Sequence, residues 1–174
     1  MTEEAVDEVD RIVAAWRRER PDLDVAPLEV LSRISRLARH LDLARRTAFA
    51  EHGLEGWEFD VLSALRRSGE PYQLTPGQLI RETLVTSGTM TNRVDRLVGR
   101  GLVDRHPSAT DRRGVLVGLT ARGRQLVDAA MSDLVDGERE MLAGLGAQHQ
   151  QEVADQLRRL LIPFEPEGRD GTRR

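Results

Sequence analysis

Ser87, Thr89, Thr91, Asn92, Arg93 and Arg96 fall within one short run, SGTMTNRVDR. Hydroxyls reach phosphate oxygens or base edges, an amide can read adenine, and guanidiniums fork onto guanine or phosphate. Met90, Val94, Leu97 and Val98 recur through the same run as an apolar stripe. A helix with that back and this front has the small, polar outer face that fits a major groove. Its N-terminus also favours a phosphate. Further on, Asp111, Arg112 and Arg113 lie in the polar turn SATDRRG. Arginine on a hairpin tip suits a narrow minor groove, where negative potential concentrates. Asp111 can hold a neighbouring guanidinium in one rotamer. From Thr86 to Arg113 there are six arginines and three acids, a local +3 in a chain whose net charge is −3. A nucleic-acid partner therefore has to be met by local charge rather than by the whole surface.

Composition removes most other chemistry. There is no cysteine, which excludes a disulfide scaffold, a zinc–thiolate site and a thiol nucleophile. All 26 basic residues are arginine, as a GC-rich genome would give. Without lysine there is no phosphate loop of the G-x-x-x-x-G-K kind, and neither G-x-S-x-G nor H-E-x-x-H occurs, so no enzyme is expected. His40, His52, His106 and His149 are too scattered for a metal set, and no cofactor is expected. The six aromatic residues are too few for a surface that stacks single strands. No apolar run approaches the roughly 18 residues of a membrane span. The first ten residues carry five acids and no base, unlike a secretory signal. A cytoplasmic protein with no membrane partner is expected.

The elements that must position the polar run read as mainly α. Val6, Val9, Ile12, Val13 and Trp16 predict an amphipathic helix ending before Pro21. A second helix is predicted from about Pro27 to Glu51, with Leu28, Leu31, Ile34, Leu37, Leu41 and Ala48 as its stripe and Gly53 as its stop. A rod of that length exceeds what a compact domain needs and often packs on a second chain. Three short helices follow, at 57–69, 75–84 and 87–101. Thr75, Pro76 and Gln78 make a capping box on the second, and Gly101 a left-handed stop on the third. LVDRHP and GVLVGLT then predict a β-hairpin. Thr120 caps a helix running to about Leu145, and a last helix spans about Ala147 to Leu161, stopped by Pro163. This order predicts a winged helix-turn-helix with a long-helix dimerisation region. The expected parts are 1–55 for the N-terminal and long dimerisation helices, 56–119 for the DNA-binding lobe, 120–163 for the C-terminal dimerisation helices, and 164–174 for a frayed tail. An alternative is a winged-helix dimer that acts through protein contacts without DNA.

SGTMTNRVDRLVGRGLVDR followed by DRRGVLVGLTARG resembles the MarR family of bacterial transcription regulators, the D-R-R wing and the following L-T-x-x-G being its most specific marks. The resemblance runs from about residue 28 to 162. It implies a homodimer on a pseudo-palindromic double-stranded operator, repression by occlusion and release by a small ligand. The extra N-terminal helix, with Trp16 in WRRERPDLD, resembles the urate-responsive subgroup. That resemblance implies an effector set of Trp16, Asp60, Arg93 and Arg105; urate and tricarboxylates such as citrate or aconitate both stay open as the anion. Arg93 with Trp16 offers a guanidinium and an apolar wall. Asp60 repels an anion, so it reads as a switch that holds an arginine such as Arg105 until the anion competes for that partner. Trp16 can equally be a core residue docking the extra helix, and Asp60 a helix-start carboxylate.

Overall fold

A computed structural model describes residues 6–107 and 114–165. The described chain falls into two units, divided between Leu134 and Val135. In the first, α1 (Glu8–Glu19) opens on a capping box: Asp7 accepts from the amides of Val9 at 2.7 Å and Asp10 at 3.0 Å, and Asp10 returns a carboxylate oxygen to the Asp7 amide at 2.9 Å. Val9 and Val13 bury against Val25 and Leu28. Arg33 of α2 (Ala26–Glu51) reaches back to Asp7 at 2.8 Å and Asp10 at 2.6 Å, which with the local amides holds the Asp7 carboxyl down at about 2. α2 has 26 residues, about 39 Å of helix. Only Phe49 is buried on it, and Val30, Leu31, Leu37 and Leu43 stay exposed.

The lobe that follows is built on α3 (Gly56–Arg67), α4 (Pro76–Thr83) and α5 (Ser87–Gly99). Val61, Leu62 and Leu65 of α3, Leu79 of α4, and Met90, Val94 and Leu97 of α5 share one core with Leu102, Val103 and Val117. The capping box at the start of α4 forms as expected, Thr75 Oγ1 accepting from the Gln78 amide at 3.2 Å and Gln78 Oε1 from the Thr75 amide at 2.8 Å. The turn between α4 and α5 places Leu84 in the left-handed region, at φ 53°, before Thr86 caps α5. Gly101 ends α5 at φ 67°, the backbone sign that only glycine takes without strain. The wing is β2 (Val103–Pro107) antiparallel to β3 (Val115–Leu119), with Val103 opposite Leu119 and Pro107 opposite Val115. A third strand, β1 (Gln73–Leu74), pairs with the other edge of β3, so the order is β1–β3–β2. It is absent from the sequence reading because two residues carry no periodicity.

α6 (Ala121–Met141) starts where the wing ends. Thr120 donates to the carbonyl of Leu102 at 3.0 Å, and its hydroxyl accepts from the Gly123 amide at 3.0 Å. A side chain at Gly123 would put its Cβ 2.1 Å from the Leu102 carbonyl oxygen. The L-T-x-x-G pattern is thus a docking joint: the hydroxyl tethers the helix and the glycine lets its backbone lie on the strand entry. α6 ends at Met141 rather than the expected Leu145, since residues 142–145 pass into turns before Gly146. In the second unit, α7 (Ala147–Leu161) buries no residue, and Val153, Leu157, Leu160 and Leu161 are all exposed. No described helix is long and apolar enough to cross a membrane.

Gly123→Ala is expected to destabilise the chain by about 3 kcal/mol, the upper end of overpacking costs, because the atom it meets is backbone and cannot turn away. Thermal melting followed by circular dichroism checks this; an unchanged melting temperature would show that the joint can open without loss.

Candidate nucleic-acid interface

α5 is anchored in the core through its apolar side. With Met90, Val94 and Leu97 buried, Ser87, Thr89, Thr91, Asn92 and Arg96 are left on the open side, with Arg93 half-buried beside them. Five of the six polar α5 residues singled out in the sequence are thus exposed and the sixth, Arg93, is half-buried. Thr89 also bonds Thr86 Oγ1 through its hydroxyl at 2.9 Å, and Thr91 donates to the Ser87 carbonyl at 3.1 Å, so two of the hydroxyls already have local partners. Arg112 and Arg113, with Asp111, lie outside the described residues.

The sequence reading missed two acids at the start of α3. Glu58 is buried, at 1% exposure, and Arg100 from the end of α5 donates to its Oε2 at 2.5 Å. The same oxygen accepts from the Glu55 amide at 2.9 Å, and Arg100 also reaches the Gly53 carbonyl at 2.9 Å. This pair, buried at Glu58 and partly exposed at Arg100, ties the C-terminal end of α5 to the entry of α3. Its neighbour Glu55 accepts from Arg96 at 2.6 Å and from the Trp57 indole N–H at 2.7 Å, which together hold its carboxyl below the usual range. The guanidiniums of Arg96 and Arg93 lie over the Trp57 ring, 4.7 and 5.4 Å from its centre. Such pairs span some forty positions of sequence, so no local pattern announces them.

The four residues of the expected effector set separate. Asp60 lines a cleft of about 270 Å³ between α2, α3 and α6, walled by the stacked rings of Phe49 and Phe59 and by Val127, Met131 and Leu134. Arg45, Arg66 and Arg67 also line the cleft, with Asp128 holding Arg66 at 2.8 Å. Burial pushes the Asp60 carboxyl up from its ordinary range, against the pull of Arg93, Arg45 and Arg67. Arg93 is thus within electrostatic reach of Asp60. Arg105 is not its partner: it donates to Asp95 at 2.6 Å, because β2 runs back along α5 and meets the acid there first. The expected Asp60–Arg105 latch is replaced by an Asp95–Arg105 pair that joins wing to recognition helix. Trp16, on α1, is 47% exposed and lines neither the cleft nor the core of its unit. Among the described residues no cluster of acids and histidines is arranged to hold a metal.

The MarR family model matches residues 52–114, from the end of α2 through the turn of the wing. The transcriptional regulator PecS of Dickeya dadantii is 40% identical over 136 residues, which is 78% of this chain and 82% of that protein. Among solved structures, the MarR family regulator Sco5413 from Streptomyces coelicolor covers 81% of this chain and 96% of its own, with 26% identity and a TM-score of 0.67. A mutant MarR from E. coli in complex with operator DNA covers 80% and 99%, with 26% identity and a TM-score of 0.61.

Arg100→Ala would leave the buried Glu58 carboxyl with the Glu55 amide alone, and the loss of stability is expected at about 1–3 kcal/mol, since Arg100 itself is partly exposed. Replacing Glu58 by Leu in the same chain should restore much of it. Chemical denaturation of the single and double variants decides; an Arg100→Ala chain as stable as wild type would mean that Glu58 finds water or another donor.

Proposed function

The chain belongs to the MarR family of transcription regulators, which are not enzymes, and on that premise we propose that it is a homodimeric, anion-released repressor. α5 enters the major groove of a pseudo-palindromic operator and the wing lies over the adjacent minor groove. The observation that carries this reading is the bare face of α5. Its hydroxyls, amide and Arg96 are exposed while Met90, Val94 and Leu97 of its apolar side are covered and Val98, at the end of that stripe, stays exposed. A face built only to be solvated needs neither the small residues at its N-terminal end nor the arginines that follow. Arg112 and Arg113 are proposed as the minor-groove contacts of the wing.

Dimerisation is supported by apolar surface that the described residues leave uncovered: Leu31, Leu37 and Leu43 on α2, and Val153, Leu157 and Leu160 on α7. Each fully covered side chain of this kind is worth about 1.5–3 kcal/mol. Parts 1–55 and 120–163 are accordingly proposed as the dimerisation region around the DNA-binding lobe 56–119. Sedimentation at micromolar concentration should show a dimer, and a monomer there would remove the two-half-site geometry altogether.

The effector is proposed to be a small organic anion, urate or a tricarboxylate such as citrate, held in the α2–α3–α6 cleft. Apolar rings and guanidiniums together suit a planar or carboxylate-bearing anion. Asp60 is the responsive element. An anion entering beside it competes for Arg45 and Arg67 and changes the field that Asp60 exerts on Arg93, which stands on the recognition helix. Trp16 and Arg105 keep the role implied by the urate-responsive pattern only if dimer formation or effector binding carries them to the cleft. A differential contact of this size supplies about 1–3 kcal/mol of coupling, roughly 5- to 150-fold in operator affinity. The test uses fluorescence anisotropy on the chain's own promoter DNA, with urate and citrate titrated separately. Wild type should release DNA with one of them. Asp60→Asn should bind DNA normally and respond poorly, since the repulsion is gone; release at the wild-type concentration would remove Asp60 from the switch.

A further inference from the structure

Arg96 stands on the DNA-facing side of α5, yet in this structure its guanidinium is already occupied. Glu55 takes it at 2.6 Å through Oε1, while the other carboxylate oxygen, Oε2, accepts from the Trp57 indole at 2.7 Å. The indole face lies under the same guanidinium, 4.7 Å from ring centre to Arg96 Cζ. Arg96 and Glu55 are each more than half exposed, so the pair is open to solvent and to any ligand approaching α5. A carboxylate oxygen presents to a guanidinium the charge and acceptor geometry that a phosphate oxygen would. We propose that Glu55 is a built-in stand-in for a DNA phosphate, which keeps Arg96 ordered on the Trp57 face and gives it up only when a phosphate takes its place.

The proposal rests on the operator-binding reading above and adds a specificity determinant to it. Any duplex offers phosphates, so an uncommitted Arg96 would strengthen binding to all sequences alike. With Glu55 in place, the first contact must displace a neighbouring carboxylate. Only a duplex that also satisfies Ser87, Thr89, Asn92 and Arg93 offers enough besides the phosphate to drive the exchange. Glu55 is therefore a positioning residue that acts through Arg96. It lowers affinity for random DNA and leaves the operator preferred.

The experiment uses the full chain and a labelled random-sequence duplex of about 30 base pairs, with anisotropy measured across a salt series. Glu55→Gln keeps an acceptor for Trp57 but loses the charge. It should bind the random duplex about 2- to 5-fold more tightly, the range that exposed ion pairs span. The plot of log affinity against log salt should steepen by up to about 0.9 per chain, the share of one phosphate contact. In an Arg96→Gln background, the Glu55 substitution should change neither quantity. A Glu55→Gln chain that binds no tighter, or that gains equally without Arg96, overturns the proposal. A wild-type chain that binds no duplex at any salt overturns the operator reading and this inference together.

Discussion

A helix that reads DNA from an otherwise acidic protein has to be held from one side only. Every group that grips it must lie behind it, because anything in front would block the groove. Here the grip is a core of Met90, Val94 and Leu97 closed at the far end by the buried Glu58 and its partly exposed partner Arg100. A guanidinium and a backbone amide meet Glu58 Oε2, while among the described residues Oε1 has no partner. The rest of the lobe follows from that constraint. The entry of α3 must stay beside the end of α5, the wing must leave from Gly101, and α6 must dock on Leu102 through Thr120 and Gly123.

The same arrangement lines the front of α5 with side-chain contacts. Arg96 pairs with Glu55, Arg105 with Asp95, and Arg93 sits between the Trp57 ring and the field of Asp60. The two ion pairs, Arg96–Glu55 and Arg105–Asp95, are open to solvent, so each is weak. A switch needs that balance, since a ligand moves an equilibrium only by its differential affinity for the two states.

Local chemistry was legible in the sequence and long-range pairing was not. Thr75 with Gln78, Thr120, Gly53 and Gly101 act where the sequence places them, because capping and left-handed stops are decided within a few residues. The apolar stripe and polar face of α5 were equally legible, since one helical period fixes both. Leu84 in the left-handed turn was not, because a leucine there goes against local preference and is held by the helices on either side. Nor were the partners of Arg96, Arg100 and Arg105, which depend on how α3, α5 and β2 meet in space. The cleft around Asp60 has the same origin: Phe49, Phe59 and Val127 come from three helices and share no pattern along the chain.

In vitro selection of duplexes from a random library by the intact chain tests the central claim most directly. A dimer that presents two copies of the α5 face should enrich an inverted repeat whose half-sites lie about 10–10.5 base pairs apart, one turn of the double helix or a multiple of it. Mutating either half-site should then lower affinity. A library that returns no enriched sequence, or a single unpaired site, would contradict the account of this fold as a dimeric operator reader.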